Sequence, residues 1–321
     1  YEYVIAKGID NNWHDPAKIE LLRCRNAKIT KKGDYTMEEI EILKNEYIDF
    51  LEFSGKKRIN VSSMRELAHL YTFYLDDLDS GILMLHEVVD MPSAHKQDIA
   101  EAKLDLGDYY LMKNDIWEAT LLYSQVDKAF KDDILGEEAR FRNAKLSYYH
   151  GDFEWSQAQL NVLKASTSEL ISNDALELSV FITDNMGLDT TAVPMEMFAR
   201  ADLLLMQNKV SKALQTLDSI NTIYTGHMLA DDILLTKAKI KLKAKDYEGA
   251  TKLFNQILDD FGTDLLVDDA IFALAELHEN HFDDKAKAME YYQEILINHP
   301  SSLYIVEARK RFRRLRGDML N

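Results

Sequence analysis

Pairs of adjacent aspartates recur along this chain, among them Asp76-Asp77, Asp132-Asp133, Asp231-Asp232, Asp268-Asp269 and Asp283-Asp284. Carboxylates side by side could move protons in acid–base catalysis or ligate calcium. Their placement favours a plainer role. Asp231 and Asp268 are 37 residues apart, and each opens an apolar helical stretch. There a carboxylate accepts hydrogen bonds from free backbone N–H groups and complements the helix dipole. Capping is therefore the task expected of these pairs. His278 and His281, with Glu279 between them, could approach one metal from a helix face. The order His-Glu-x-His differs from the His-Glu-x-x-His of zinc proteases and falls at a helix end, so a solvated turn is expected. No Gly-rich phosphate loop, Gly-x-Ser-x-Gly elbow or Cys–His nucleophile arrangement occurs. No catalytic residue, metal or cofactor is assigned, and a non-enzyme is expected.

Two further features carry chemical potential. Cys24 is the single cysteine, which leaves no intrachain disulfide or Cys-based zinc site, and its apolar helical setting predicts an inert buried thiol. Near the C-terminus, Arg309, Lys310, Arg311, Arg313, Arg314 and Arg316 crowd a segment with one acid, Glu307. Ile305, Ala308, Phe312 and Leu315 recur there at steps of three or four. The segment therefore reads as a capping helix with an apolar seat and a charged outer face. Docking of this face to acidic protein, lipid headgroups or RNA is the alternative.

Composition narrows the class. The 321 residues are 46% apolar and 29% charged, with a net charge of −17. Only 12 Gly and 4 Pro occur, too few for a turn-rich β sandwich or barrel, or for a disordered Pro/Gly chain. The acidic balance opposes nucleic-acid binding over most of the surface. No apolar run approaches the ~20 residues that cross a bilayer. The sequence begins at Tyr1 rather than Met, as expected of a processed or truncated product.

The elements that must position any site follow from a repeat. Small residues recur in apolar helical stretches at Ala68, Gly107, Ala144, Ala201, Ala238 and Ala275, and again at Gly81, Ala119, Ser156, Ala213, Ala250 and Ala288. Between the two sets lie turns such as Asn114-Asp115-Ile116, Gly151-Asp152-Phe153 and Asp246-Tyr247. Antiparallel helices nest closely only where side chains are small. Ala119 with Tyr123, Ala250 with Phe254 and Ala288 with Tyr292 are i, i+4 pairs on one helix face. Most spacings are 37 or 38, but Ala144 to Ala201 spans 57. The surplus fits one inserted helix near 173–186, capped by Asn173-Asp174 and stopped by Gly187, with a loop at Leu188–Val193. An odd helix there predicts a bend or subdomain seam. A further degenerate pair precedes the array, with Ala27, a turn at Gly33-Asp34-Tyr35 and a long helix near Thr36–Phe53.

The motifs Leu106-Gly107-x-x-Tyr110…Ala119…Tyr123 and Ala288…Tyr292…Pro300 resemble the tetratricopeptide repeat, a helix–turn–helix unit near 34 residues. The tryptophan of the family's first helix is absent, with Met64, Lys103, Arg140, Met197, Leu234 or Phe272 near its place. The resemblance implies an all-α fold, a right-handed α-α superhelix of helix–turn–helix repeats. Its segments are a degenerate repeat at 1–60, repeats at 61–171, the inserted helix and loop at 172–193, repeats at 194–300 and the capping helix at 301–321. The closing stretch Tyr291-Tyr292…Ile295-Leu296…Pro300-Ser301-Ser302…Ala308-Arg309 is similar to the end of bacterial envelope repeat proteins, among them the tetratricopeptide lipoprotein of outer-membrane β-barrel assembly. More broadly the chain resembles large tetratricopeptide proteins common in Bacteroidetes. That likeness implies a periplasmic or membrane-peripheral scaffold.

Stacked helix pairs curve, and first helices line the inner wall. The repeat register then points Phe73, Leu104, Asp108, Leu111, Phe141, Lys145, Tyr148, Phe198, Asp202, Lys239 and Phe272 into a groove. This mixture suits an extended peptide or a partner helix, so another protein is the expected partner. The competing reading makes the repeats a regulatory or recruiting arm of a larger hydrolase.

Overall fold

The computed structural model describes residues 1–32, 35–165, 168–186 and 191–318. Among these the fold is all-α, and no strand occurs. The helices are α1 (Glu2–Ile5), α2 (His14–Lys32), α3 (Met37–Ser54), α4 (Val61–Tyr74), α5 (Leu78–Val89), α6 (Lys96–Met112), α7 (Ile116–Ala129), α8 (Ile134–Tyr149) and α9 (Phe153–Leu163). After α10 (Glu169–Met186) come α11 (Val193–Met206), α12 (Val210–Ile223), α13 (Ala230–Lys243), α14 (Tyr247–Asp260), α15 (Val267–Asn280), α16 (Lys285–Asn298) and α17 (Ile305–Arg316). Consecutive helices pack as pairs. The chain divides into two compact units, Tyr1–Ile182 and Thr183–Asn321.

The recurring small residues lie at the helix crossings. Ala68, Ala144, Ala201, Ala238 and Ala275 on first helices are buried, as are Ala119, Ala213, Ala250 and Ala288 on second helices. Larger neighbours fill the seam, so Tyr123, Phe254 and Tyr292 are fully enclosed. Two crossings are tight enough to demand glycine. A Cβ on Gly107 would stand 2.4 Å from the Tyr123 ring, and one on Gly81 would stand 2.2 Å from Thr72 Oγ1. Where the position holds Ser156, its hydroxyl donates to the Ala144 carbonyl at 2.8 Å.

Each turn between paired helices uses one device. Asp76, Asn114, Gly151, Asn208, Lys245 and Asp283 take positive φ, the left-handed conformation that ends a helix. The next residue sends its N–H back to a carbonyl of the last turn, as Asp115 does to Tyr110 at 2.8 Å and Asp246 does to Lys241 at 2.9 Å. That residue then caps the second helix. Asp77, Asp115, Asp152, Asp246 and Asp284 each accept from a backbone N–H three positions on.

Several expectations need correction. Asp231-Asp232 and Asp268-Asp269 do not hold the N-cap position, although the Asp268 carboxylate accepts from the Asp269 N–H at 3.1 Å. The N-cap positions of α13 and α15 belong to Leu229 and Leu266, without a side-chain cap bond, and the aspartates fall in the first turn. Leu229 is wholly buried there, so packing has displaced the acids inward by a few residues. In contrast Asp77, Asp133 and Asp284 from the other pairs do cap. The inserted helix starts at Glu169, before the expected 173. Asn173 and Asp174 lie inside it, while Ser168 Oγ accepts from the Ile171 N–H at 3.4 Å. Cys24 is exposed. It sits two residues, roughly 200° of helix, from the buried Leu22, so it faces away from the core. Thr36 and Glu39 form a reciprocal capping box that starts α3. Gly33, Asp34, Gly187 and 188–190 lie outside the described residues.

Candidate partner-binding face

In the N-terminal unit the first helices of neighbouring pairs are tied together by charge. Arg23 of α2 reaches Glu66 of α4 at 3.3 Å. Arg65 of α4 donates to Asp105 of α6 at 2.8 Å and also pairs with Glu101. Asp108 of α6 accepts from Arg142 of α8 at 2.5 Å and from the Tyr123 hydroxyl at 2.6 Å. Burial holds the Asp108 carboxyl above its ordinary range in spite of Arg142 and Tyr123. For Asp105 burial is outweighed by His69 and Arg65, and its carboxyl is held low. This ladder fixes the spacing of α4, α6 and α8.

An aromatic row stands on the ladder. The Phe73 ring is 47% exposed, stacks on His69 with centroids 5.7 Å apart and meets the buried Tyr109 edge-on. The Tyr109 hydroxyl and His69 Nδ1 are 3.0 Å apart, which steadies the stack. On α8, Phe141 and Tyr149 are half-buried, and the exposed Lys145 holds its ammonium 5.8 Å above the Tyr149 ring. Half-buried Met112 occupies the corresponding place on α6.

The groove expectation divides under this geometry. Phe73, Lys145 and Lys239 are exposed, while Asp108, Phe141 and Asp202 are half-buried. Leu104, Leu111, Tyr148, Phe198 and Phe272 are buried and belong to the packing between helices. The register explains the split. Leu111 and Tyr148 follow the small residues Gly107 and Ala144 by four positions and share their inward face, whereas Phe73, Met112 and Tyr149 follow by five and turn outward. Counting five steps instead of four would have found Met112 and Tyr149 from sequence.

In the C-terminal unit, Phe272 stacks on Tyr304 with centroids 4.4 Å apart, and the Arg311 guanidinium lies 5.6 Å over it. The basic helix is therefore seated, with Ala308 buried and Ile305, Phe312 and Leu315 packed against α15 and α16. Its cations are largely occupied. Arg311 pairs with Glu276 at 2.8 Å, Glu279 at 3.3 Å and Glu307 at 3.0 Å, and Arg314 also engages Glu279. Arg313 and Arg316 both reach Asp318, and Lys310 reaches Glu307 at 3.4 Å. Arg309 is exposed. The fold thus brings acids of α15 to Arg311 and Arg314, while Lys310, Arg313 and Arg316 pair within their own segment.

His281 stacks on Tyr247 at 3.9 Å, and His278 packs among Phe282 and Tyr291. The two imidazoles thus turn to different partners. Among the described residues no cluster of His, Cys, Asp and Glu could hold a metal ion. No helix among them is long and apolar enough to cross a membrane.

A family profile for the tetratricopeptide repeat matches residues 269–302, the span of α15 and α16. The match supports the tetratricopeptide family on that repeat, and the all-α array of nested pairs is the fold this family builds. No curated protein matches the chain.

Proposed function

We propose that this chain is a non-catalytic scaffold whose first-helix face in the N-terminal unit holds an extended segment or helix of another protein. Tetratricopeptide repeats generally mediate protein–protein binding. The observation that carries the reading to this face is the row of solvent-reaching side chains on successive first helices. Phe73, Phe141 and Tyr149 offer aromatic anchors, and Lys145 offers a cation for a partner carboxylate. The Arg65–Asp105 and Asp108–Arg142 pairs hold these helices in a fixed register, which lowers the ordering that binding must impose. We further propose that this scaffold works at the periphery of a cell-envelope membrane, a reading supported by the likeness of the closing stretch to envelope repeat proteins.

Photo-crosslinking residues placed at Phe73, Phe141 and Tyr149 test the face. A single partner should be captured from all three, and Phe73→Ala with Tyr149→Ala should abolish capture without altering helical circular dichroism. Equal capture of that same partner from Gln215 on α12 or Lys252 on α14, or capture that survives the double substitution, would refute the proposal.

A further inference from the structure

The second helices carry an asymmetry that the first-helix face does not explain. Two positions beyond each small crossing residue is about 200° around the helix, so it points away from the partner helix. In the N-terminal unit this position holds Leu83 on α5, Leu121 on α7 and Ala158 on α9, all exposed. In the C-terminal unit the same position holds Gln215, Lys252 and Glu290. Trp117 and Trp155 add to the apolar side at 86% and 59% exposure, and Val162 extends it along α9. The equivalent helices α12, α14 and α16 thus show that the fold itself does not require apolar residues here. Scattered exposed leucines need no explanation, but indoles and aliphatics repeated on three neighbouring second helices of one unit do.

The charge around the patch says what would cover it. Glu118 and Glu154 flank the two tryptophans, and Asp77, Asp79, Asp115 and Asp152 line the starts of the same helices. Against them stand Lys113, already paired with Asp79 at 2.8 Å, and the exposed Lys128 and Lys164 at the far ends of α7 and α9. Acidic residues also outnumber basic ones across Tyr1–Ile182. A second copy related by a twofold axis would set acids against acids, and an anionic bilayer would be repelled. We propose that the outer face of α5, α7 and α9 docks an amphipathic basic segment of another protein. Its apolar side rests on Leu83, Trp117, Leu121, Trp155 and Val162, and its cations reach Glu118 and Glu154. This site is separate from the first-helix face, so the scaffold holds two protein segments at once.

The chain reports on itself, because the third tryptophan, Trp13, can be removed as Trp13→Phe. In that full-length background, a designed Leu/Lys amphipathic helical peptide is titrated and indole emission is followed. The expected result is a saturable blue shift, weakened at least tenfold by Leu121→Glu and unchanged by Phe73→Ala. Leu83→Ser provides a second, milder reduction, and circular dichroism checks that each variant keeps its helices. Four outcomes overturn the proposal. Equal action of a Leu/Glu peptide overturns it, as does a shift that requires Phe73 in place of Leu121. It must not arise only with phosphatidylcholine or phosphatidylglycerol vesicles, which would mark a lipid surface. Nor must it grow with protein concentration in the absence of peptide, which would mark self-association.

Discussion

Single residues carry consequences out of proportion to their size where helices cross. Gly107 admits the Tyr123 ring, and the Tyr123 hydroxyl is held in turn by Asp108. Gly107→Ala is expected to destabilise the protein by about 1–3 kcal/mol through overpacking, read as a lower denaturant midpoint with an unchanged slope. A second residue-scale effect concerns charge. Asp232 lies beside Asp231, and Asn185 Nδ2 donates to it at 2.9 Å. Burial first, and the Asp231 charge second, push its carboxyl up to about 7. The folded state therefore keeps a proton that the unfolded state, near 3.9, has lost. Stability falls as pH rises from about 4 through 7, and the ionised carboxylate burdens the fold above that range. Asp232→Asn should raise the melting temperature at pH 8, by on the order of 1–2 kcal/mol in stability, and the two proteins should converge below pH 4.

At the scale of elements, the turn device is repeated six times but completed five. Lys209 occupies the cap position of α12, with backbone dihedrals close to those of its counterparts, and makes no side-chain cap bond. Asp246 at the same place in the next pair accepts from the Gly249 N–H at 2.9 Å. Lys209→Asp should stabilise the C-terminal unit by about 1 kcal/mol, and Asp246→Ala should destabilise it by a similar amount. Thermal melts of the two variants, run side by side, check both signs. The basic helix α17 is held instead by an acid from another element. For Glu279 burial is outweighed by the Tyr292 and Arg314 hydrogen bonds, so its carboxyl is held below the usual range. Its contribution is present above the unfolded carboxyl pKa and is lost as pH falls through the lower folded value. Acid should therefore loosen the seat of α17.

For the whole molecule, the net charge of −17 sets a background of self-repulsion. Salt screens that repulsion over distances near 10 Å at 0.1 M while weakening individual surface pairs that contribute little each. The melting temperature should rise between 0.01 and about 0.2 M sodium chloride, and a fall would show that the ion-pair ladder outweighs the net charge. Two compact units, each with its own buried clusters, give this response two places to act.

The small residues at fixed spacing, the turn aspartates and the i, i+4 aromatic pairs were legible because helix nesting is a local, periodic constraint. Ala119, Ala250 and Ala288 could be placed at crossings from sequence alone, and the surplus between Ala144 and Ala201 demanded a helix that the fold contains as α10. Side-chain direction was less legible. A step of one residue turns a helix by about 100°, so Tyr148 is buried while Tyr149 reaches solvent. Charge was least legible of all. Arg311 and Arg314 read as a free basic surface until α15 brought Glu276 and Glu279 beside them, contacts between residues more than thirty positions apart. Periodicity along the chain therefore determined the helices and their pairing, whereas only the packing of distant turns decided which groups meet water and which meet each other.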